Sequence, residues 1–233
     1  MVKIKYLHVH LFSFLIIWLG LFLDSSTQAN QLMTNILVIY AFLWIYYFVS
    51  TSVRQLMLFG LIVAFGGEVL FSLILGMYTY RLENLPVYIP FGHSIVYASI
   101  YYMAKEPLVK KYEEPIVKTL YLLMIIYSTL WLIMANDTFG FLCTLVILAV
   151  FKRHPHTKLF FLLMYFAVVY LELIGTYYQC WQWPEIWFDK ISFINSANPP
   201  SGISVFYFGF DICCLWLYKQ YDKERWKRIK IFA

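Results

Sequence analysis

The chain has 233 residues, of which 62% are hydrophobic, 21% aromatic and 13% charged. A soluble domain carries about 25% charged residues, so this chain lacks the polar side chains to cover itself in water, and its composition calls for lipid as solvent. The formal charge of +5 is no nucleic-acid signal, because the basic residues sit between apolar runs and in the tail.

A helix needs roughly 20 apolar residues to cross a bilayer. The apolar runs predict eight spans, at about 6–23, 32–50, 56–76, 90–104, 116–135, 138–151, 159–178 and 201–218. The fourth and sixth are short. Met1-Val2-Lys3-Ile4-Lys5 ahead of the first run resembles the start of a signal peptide. No small-x-small cleavage site follows, so the run reads as a retained first span.

The connections set the orientation. Asp24 to Asn30 and Asn136-Asp137-Thr138 carry no Lys or Arg. The connection before the third span has Arg54, the segment 105–115 has Lys105, Lys110 and Lys111, and 152–158 is strongly basic. The tail adds Lys219, Lys223, Arg225, Lys227, Arg228 and Lys230. Basic and non-basic connections alternate, apart from Arg81 and Lys190 in the two long loops. The positive-inside rule then puts both termini in the cytoplasm and the loops 77–89 and 179–200 outside. The predicted location is a membrane crossed many times, the cytoplasmic membrane if the chain is bacterial.

One pattern occurs twice. Glu68 precedes Tyr78-Thr79-Tyr80 by ten residues, and Pro90-Phe91-Gly92-His93-Ser94-Ile95-Val96-Tyr97 follows. Glu172 precedes Trp181-Gln182-Trp183 by nine, and Pro200-Ser201-Gly202-Ile203-Ser204-Val205-Phe206-Tyr207 follows. Both tails read P-x-G-x-S, two apolar residues, Tyr. The match predicts duplication: an all-α protein of two parallel four-helix units, 1–104 and 116–218, with a linker at 105–115 and a basic tail at 219–233. Four spans per unit relate the halves by a pseudo-two-fold axis along the membrane normal.

Glu68 and Glu172 each lie roughly 18 Å from the inner boundary of an apolar core ~30 Å thick. A carboxyl there is costly, faces the bundle interior, and marks either a functional site or a hydrogen-bonding staple. Asp211 lies near the midplane with no Lys or Arg at neighbouring helical spacing, is either a catalytic candidate or structural, and its counterpart in the repeat is Tyr101. His93, whose counterpart is Ile203, is either an interfacial histidine bonded to a carbonyl or a proton donor or acceptor for Glu68 or Glu172. Ser94 and Ser204 follow the Pro-x-Gly turns and either bond the helix start or line a site. Tyr78, Tyr80, Trp181 and Trp183 form an interfacial belt or a wall of π faces around a hydrophobic ligand or a cationic transition state. Asn198 leads with Pro199-Pro200 into the last span.

Other chemistry has no motif. Cys143, Cys180, Cys213 and Cys214 lack metal spacing, His154-Pro155-His156 cannot form a helical metal face, and no nucleophile-elbow, zinc or phosphate-loop pattern occurs. Neither a metal nor a cofactor is expected.

The stretch from Glu68 through Leu75-Gly76-Met77-Tyr78-Thr79-Tyr80 resembles the E…F-G-x-Y-x-Y segment of membrane-embedded carotenoid-biosynthesis proteins of the bisanhydrobacterioruberin-hydratase type. Gly175 through Trp181-Gln182-Trp183 to Asn198-Pro199-Pro200 resembles that family's later G-x-W-x-W…P-x-N segment. Where the family has N-x-x-G-W, this chain has Asn198-Pro199-Pro200-Ser201-Gly202. The resemblance implies a polytopic protein that adds water to an isoprenoid double bond. Such a reaction needs an acid in a dry pocket and π faces around the carbocation. Glu68 or Glu172 is the expected acid, with the other carboxyl or His93 as base. The expected partners are the lipid bilayer and a hydrophobic small-molecule substrate, with no nucleic acid. Two other classes stay open: a transporter with carboxyls between its repeats, and a structural or assembly protein.

Overall fold

The computed structural model of the chain describes residues 6–187 and 191–223. Lys190 and the basic tail beyond Lys223, which entered the orientation argument, lie outside the described residues, as do Lys3 and Lys5 ahead of the first run.

The fold is mostly helical, as expected. Its helices are α1 (Tyr6–Asp24), α2 (Gln28–Phe48), α3 (Thr51–Glu68), α4 (Tyr88–Met103), α5 (Pro107–Lys111), α6 (Glu113–Ala135), α7 (Thr138–Arg153), α8 (Lys158–Tyr177) and α9 (Ser204–Tyr221). A π-helical segment, Val69–Ile74, prolongs α3, and a 3₁₀ turn, Pro155–Thr157, precedes α8. Short strands β1 (Thr79–Tyr80), β2 (Trp181–Gln182), β3 (Ile186–Trp187) and β4 (Ile191–Asn195) are confined to the two long connections. Four helical stretches among the described residues are long and apolar enough to cross a membrane: Asn30–Phe48, Thr51–Ile74, Glu113–Ala135 and Pro155–Tyr177. Val9–Asp24 is a shorter apolar helix.

Local chemistry sets the ends. Ser50 caps α3 by accepting from the Val53 N–H, and Asp137 caps α7 by accepting from that of Gly140. Glu113 and Glu114 open α6, and Lys152 and Arg153 close α7, each matching the helix dipole. Gly76 takes the left-handed conformation, φ +58°, where the chain leaves the π segment. Three boundaries differ from expectation. The linker at 105–115 contains α5 and the start of α6, because Pro107 and the Glu113-Glu114 pair each start a helix. Pro90 lies inside the first turn of α4 rather than at its start, and α9 begins at Ser204, after a turn at 201–203.

The helices α3, α4, α8 and α9 form a closed ring: α3 packs on α4 and α9, and α8 packs on the same two. Within the ring α3 and α8 are diagonal. The helix α4 is the most enclosed, with every residue from Ser94 to Tyr101 buried. The pair α1–α2 packs against α4 on one flank, and α6–α7 packs against α8 and α9 on the other. The outer faces stay apolar: Ile133 and Met134 of α6 are 73% and 79% exposed. A surface of that kind suits hydrocarbon.

Candidate functional site

Each helix of the ring contributes one polar side chain to a common point. Glu68 is the last residue of α3, and the π segment begins immediately after it. A π turn takes up one more residue than an α turn, and that residue accounts for the offset of ten from Glu68 to Tyr78 against nine from Glu172 to Trp181. The extra residue lets the first aromatic pair fold back over its glutamate as the second does. Tyr78 and Tyr80 both donate their hydroxyls to Glu68 Oε2, each at 2.5 Å. His93 Nε2, from α4, lies 3.0 Å from Glu68 Oε1.

Glu172, in α8, is held in the same manner with different donors. Trp181 and Trp183 direct their indole N–H groups at Oε2, at 2.8 Å and 3.1 Å. Tyr207, from α9, donates to Oε1 at 3.3 Å. Both carboxyls are buried, and hydrogen bonds to a charged group stabilise by ~1.5–3 kcal/mol each. The partners differ chemically. An indole N–H only donates, so Glu172 Oε2 is committed as an acceptor. The bond between Glu68 Oε1 and His93 Nε2 carries its proton on either atom.

The two halves of the site touch. The rings of His93 and Tyr207 stack at 4.6 Å, across the ring from α4 to α9. Tyr78 packs on Trp183 at 4.5 Å, and Tyr80 meets Trp181 edge-on at 6.2 Å. The strands impose this: β1 pairs antiparallel with β2, with Thr79 opposite Gln182 and Tyr80 opposite Trp181. Gly175 leaves the space that the Trp181 indole occupies against α8. Burial first, and then the Glu68 charge, holds the phenols of Tyr78 and Tyr80 well above their ordinary range, so both stay protonated donors.

Between these groups lies a cavity of about 70 Å³. Both glutamates, His93, Tyr207 and the four aromatic-pair residues line it, and apolar residues from α1, α2 and the π segment complete the wall. Its surface is almost wholly apolar apart from the carboxyl cluster. Space of that size holds a few waters or one end of a hydrocarbon chain.

The long connections are pinned by buried acids. Asp24, fully buried, pairs with Arg81 at 3.2 Å and accepts from the Tyr88 hydroxyl at 3.2 Å. This pairing explains a basic residue in a loop that otherwise lacks them. Asp137, also fully buried, accepts from the backbone N–H groups of Gly140, Ala197 and Ser201 at 3.1, 3.0 and 2.7 Å.

The sequence candidates therefore divide. Glu68, Glu172, His93, Tyr78, Tyr80, Trp181 and Trp183 share the cavity. Ser94 and Ser204 do not line it; they donate to the carbonyls of Met57 and Tyr165 and tie α4 to α3 and α9 to α8. Asn198 also lies off the wall, accepting from the Trp183 backbone N–H at 3.1 Å. Asp211 faces a separate, smaller cavity deeper in the ring. Tyr207 was not singled out as a site residue, although the tyrosine ending each P-x-G-x-S block marked it. Asp24 and Asp137 were read only as loop residues, because nothing in their local sequence tells a buried loop acid from an exposed one. Among the described residues no group of three His, Cys, Asp or Glu side chains is placed to hold a metal ion. No known protein family matches the chain, and neither a curated protein nor a solved structure does.

Proposed function

We propose that the chain is a multi-pass membrane enzyme. It has eight spans in two parallel four-helix units and both termini in the cytoplasm, and it performs cofactor-independent acid/base chemistry on the double bond of an isoprenoid or other lipid. The observation that carries this reading is the pair of buried carboxyls, each with three hydrogen-bond partners, that face one small apolar cavity walled by aromatic rings. In the proposed reaction the Glu68–His93 pair gives its proton to one alkene carbon. The neighbouring carbon becomes cationic, between the π faces of Tyr78 and Trp183 and the acceptor carboxyl of Glu172. Water adds to the cation, its extra proton returns to the Glu68–His93 pair, and the product is the alcohol. Loss of a carbon-bound proton instead gives the isomerised or cyclised alkene.

Several features support the repeat. The antiparallel register places Tyr78 against Trp183 and Tyr80 against Trp181, which is how two copies of one hairpin meet about a two-fold axis. Gly76 and Gln179, each two residues ahead of its aromatic pair, are both left-handed, at φ +58° and +56°. The contact of α3 with α9 has its counterpart in that of α4 with α8.

The test is a lipid and pigment profile of cells with and without the protein. The expected result is one lipid species converted to a hydrated or isomerised product, with conversion falling ~10²–10⁴-fold in Glu68→Gln and in Glu172→Gln. A profile unchanged by the protein, or unchanged by both substitutions, overturns the enzyme reading. The same pseudo-two-fold arrangement of carboxyls favours one rival, a proton-coupled carrier. That reading gains if both variants lose proton-coupled uptake in vesicles while the lipids stay constant.

A further inference from the structure

One pair of buried polar groups has no part in the chemistry above. Asp211 Oδ2 and the Tyr97 hydroxyl are both buried, and neither has a hydrogen-bond partner among the described residues. They line one cavity of about 10 Å³, together with His93, Tyr207 and Cys214. This cavity draws on α3, α4, α8 and α9, so it continues the axis of the ring beyond the carboxyl cavity. His93, Tyr207 and Phe210 border both spaces and separate them.

The spacing is regular. Tyr97 lies four residues after His93 on α4, and Asp211 lies four after Tyr207 on α9. Each deeper group therefore sits one turn, ~6 Å, below a member of the stacked pair. The series continues through Tyr101 to Lys105, two residues past the end of α4, whose Nζ donates to the Tyr101 hydroxyl at 2.6 Å. His93, Tyr97, Tyr101 and Lys105 thus form a file of polar side chains ~18 Å long. It leads from the carboxyl cavity to the far end of α4, where Lys105 is exposed.

A buried polar atom left unpaired is destabilising. Two such atoms facing one void are satisfied together by a single water. The void has the ~10–15 Å³ that one water needs, and the two groups supply the minimum of two polar partners.

The geometry points to a one-water site between Asp211 and Tyr97 that carries protons between the Glu68–His93 pair and the Lys105 end of α4. Asp211 holds a proton, and its O–H bond breaks as the proton passes to the water. The water releases one of its own toward Tyr97 and His93, and a proton arriving from the Lys105 side restores Asp211. Only O–H and N–H bonds are made or broken, and one proton enters for each that leaves. The inference deepens the acid/base reading and rests on it: the reaction returns its proton to the Glu68–His93 pair, and the path sets the protonation of that pair between turnovers.

Infrared spectroscopy of the purified full-length protein in lipid nanodiscs tests this. The expected spectrum has a carboxylic-acid C=O band that disappears in Asp211→Asn. In D₂O the band shifts within minutes in the wild type, and at least tenfold more slowly in Tyr97→Phe. Three results overturn the proposal: no band assignable to Asp211, a band unshifted after a day in D₂O, or equal exchange in wild type and Tyr97→Phe. Tyr97→Phe removes one unpaired hydroxyl and keeps the ring, so folding is preserved. The lipid profiles of Glu68→Gln and Glu172→Gln do not depend on Asp211, so failure of the acid/base reading is seen separately.

Discussion

Replacing Gly175 with alanine tests whether the close approach of Trp181 to α8 holds the site together. A Cβ at position 175 falls 2.7 Å from Trp181 Cε2, and closer still to Cζ2 and Cη2. The indole is a rigid plate, 4% exposed, that meets Tyr80 edge-on. Restoring an ordinary 3.4 Å contact at Cε2 alone requires the ring to retreat by about 0.7 Å. Along the line to Glu172, that retreat takes the Nε1–Oε2 bond from 2.8 Å to about 3.5 Å, the limit of a hydrogen bond. Overpacking costs ~1–3 kcal/mol. The weakened bond to a carboxylate costs ~1.5–3 kcal/mol, and the better helix propensity of alanine returns about 1 kcal/mol. The net loss is about 1.5–5 kcal/mol, which at ~2–4 °C per kcal/mol lowers the melting temperature by about 3 °C at the least. The assay is thermal unfolding of wild type and variants in one detergent, followed by intrinsic fluorescence. Gly66→Ala is the control, because that glycine is also helical and no described residue comes within 4 Å of its added Cβ. It should melt at or slightly above the wild type. If Gly175→Ala melts with Gly66→Ala, the indole is not held against α8 and its bond to Glu172 does not shape the site.

The connections pinned by buried acids give three further expectations. Arg81→Ala strips the fully buried Asp24 of its counter-charge, which costs ~3–5 kcal/mol; Arg81→Ala with Asp24→Asn should recover more than half of the loss, and a single variant that melts like wild type refutes the pairing. Asp137→Ala removes the acceptor for three backbone N–H groups at ~1–3 kcal/mol each, so limited proteolysis should cut 191–201 faster than in wild type, with Asp137→Asn in between; equal cleavage of all three proteins refutes that role. Burial, and secondarily the Asp24 charge, raises the Cys180 thiol above its usual range, so it stays neutral and unlabelled by maleimide at pH 8.5 until the protein unfolds. Rapid labelling of the folded protein at Cys180 shows an accessible thiol instead.

Much of the site was legible because polar residues inside apolar runs stand out. Glu68, Glu172 and His93 were conspicuous for being ionisable where hydrocarbon was expected, and the repeated spacing tied them to the aromatic pairs. What the spacing lacked was the reason for ten residues in one copy and nine in the other. That reason is the π segment, and no local preference in Val69–Ile74 distinguishes π from α. Ser94 and Ser204 were harder for the opposite cause. A serine after a Pro-x-Gly turn has the same neighbours in sequence whether it faces a ligand or bonds the next helix, and the packing of α4 on α3 and α9 on α8 decides. Asp24 and Asp137 failed the same way: their burial comes from loops more than 50 residues away closing over them.

The unequal third donors bear most directly on what the site does. Under the proposed repeat, Tyr207 corresponds to Tyr97 and His93 to Ile203. The donor that reaches Glu68 therefore comes from one turn nearer the start of its helix than the donor that reaches Glu172. Two staples that merely held helices together would be served equally well by matching tyrosines. A histidine in place of one of them changes the chemistry and leaves the geometry alone. Imidazole accepts and releases a proton near neutral pH, whereas indole and phenol keep theirs there. The first half is thus equipped to exchange a proton, and the second to hold a fixed acceptor beside the same cavity. His93→Tyr makes the two halves alike and keeps an aromatic donor beside Glu68. If the site is a pair of staples, that variant keeps both wild-type stability and the wild-type lipid profile. If the site exchanges protons, stability stays within about 1 kcal/mol while conversion falls by ~10²-fold or more.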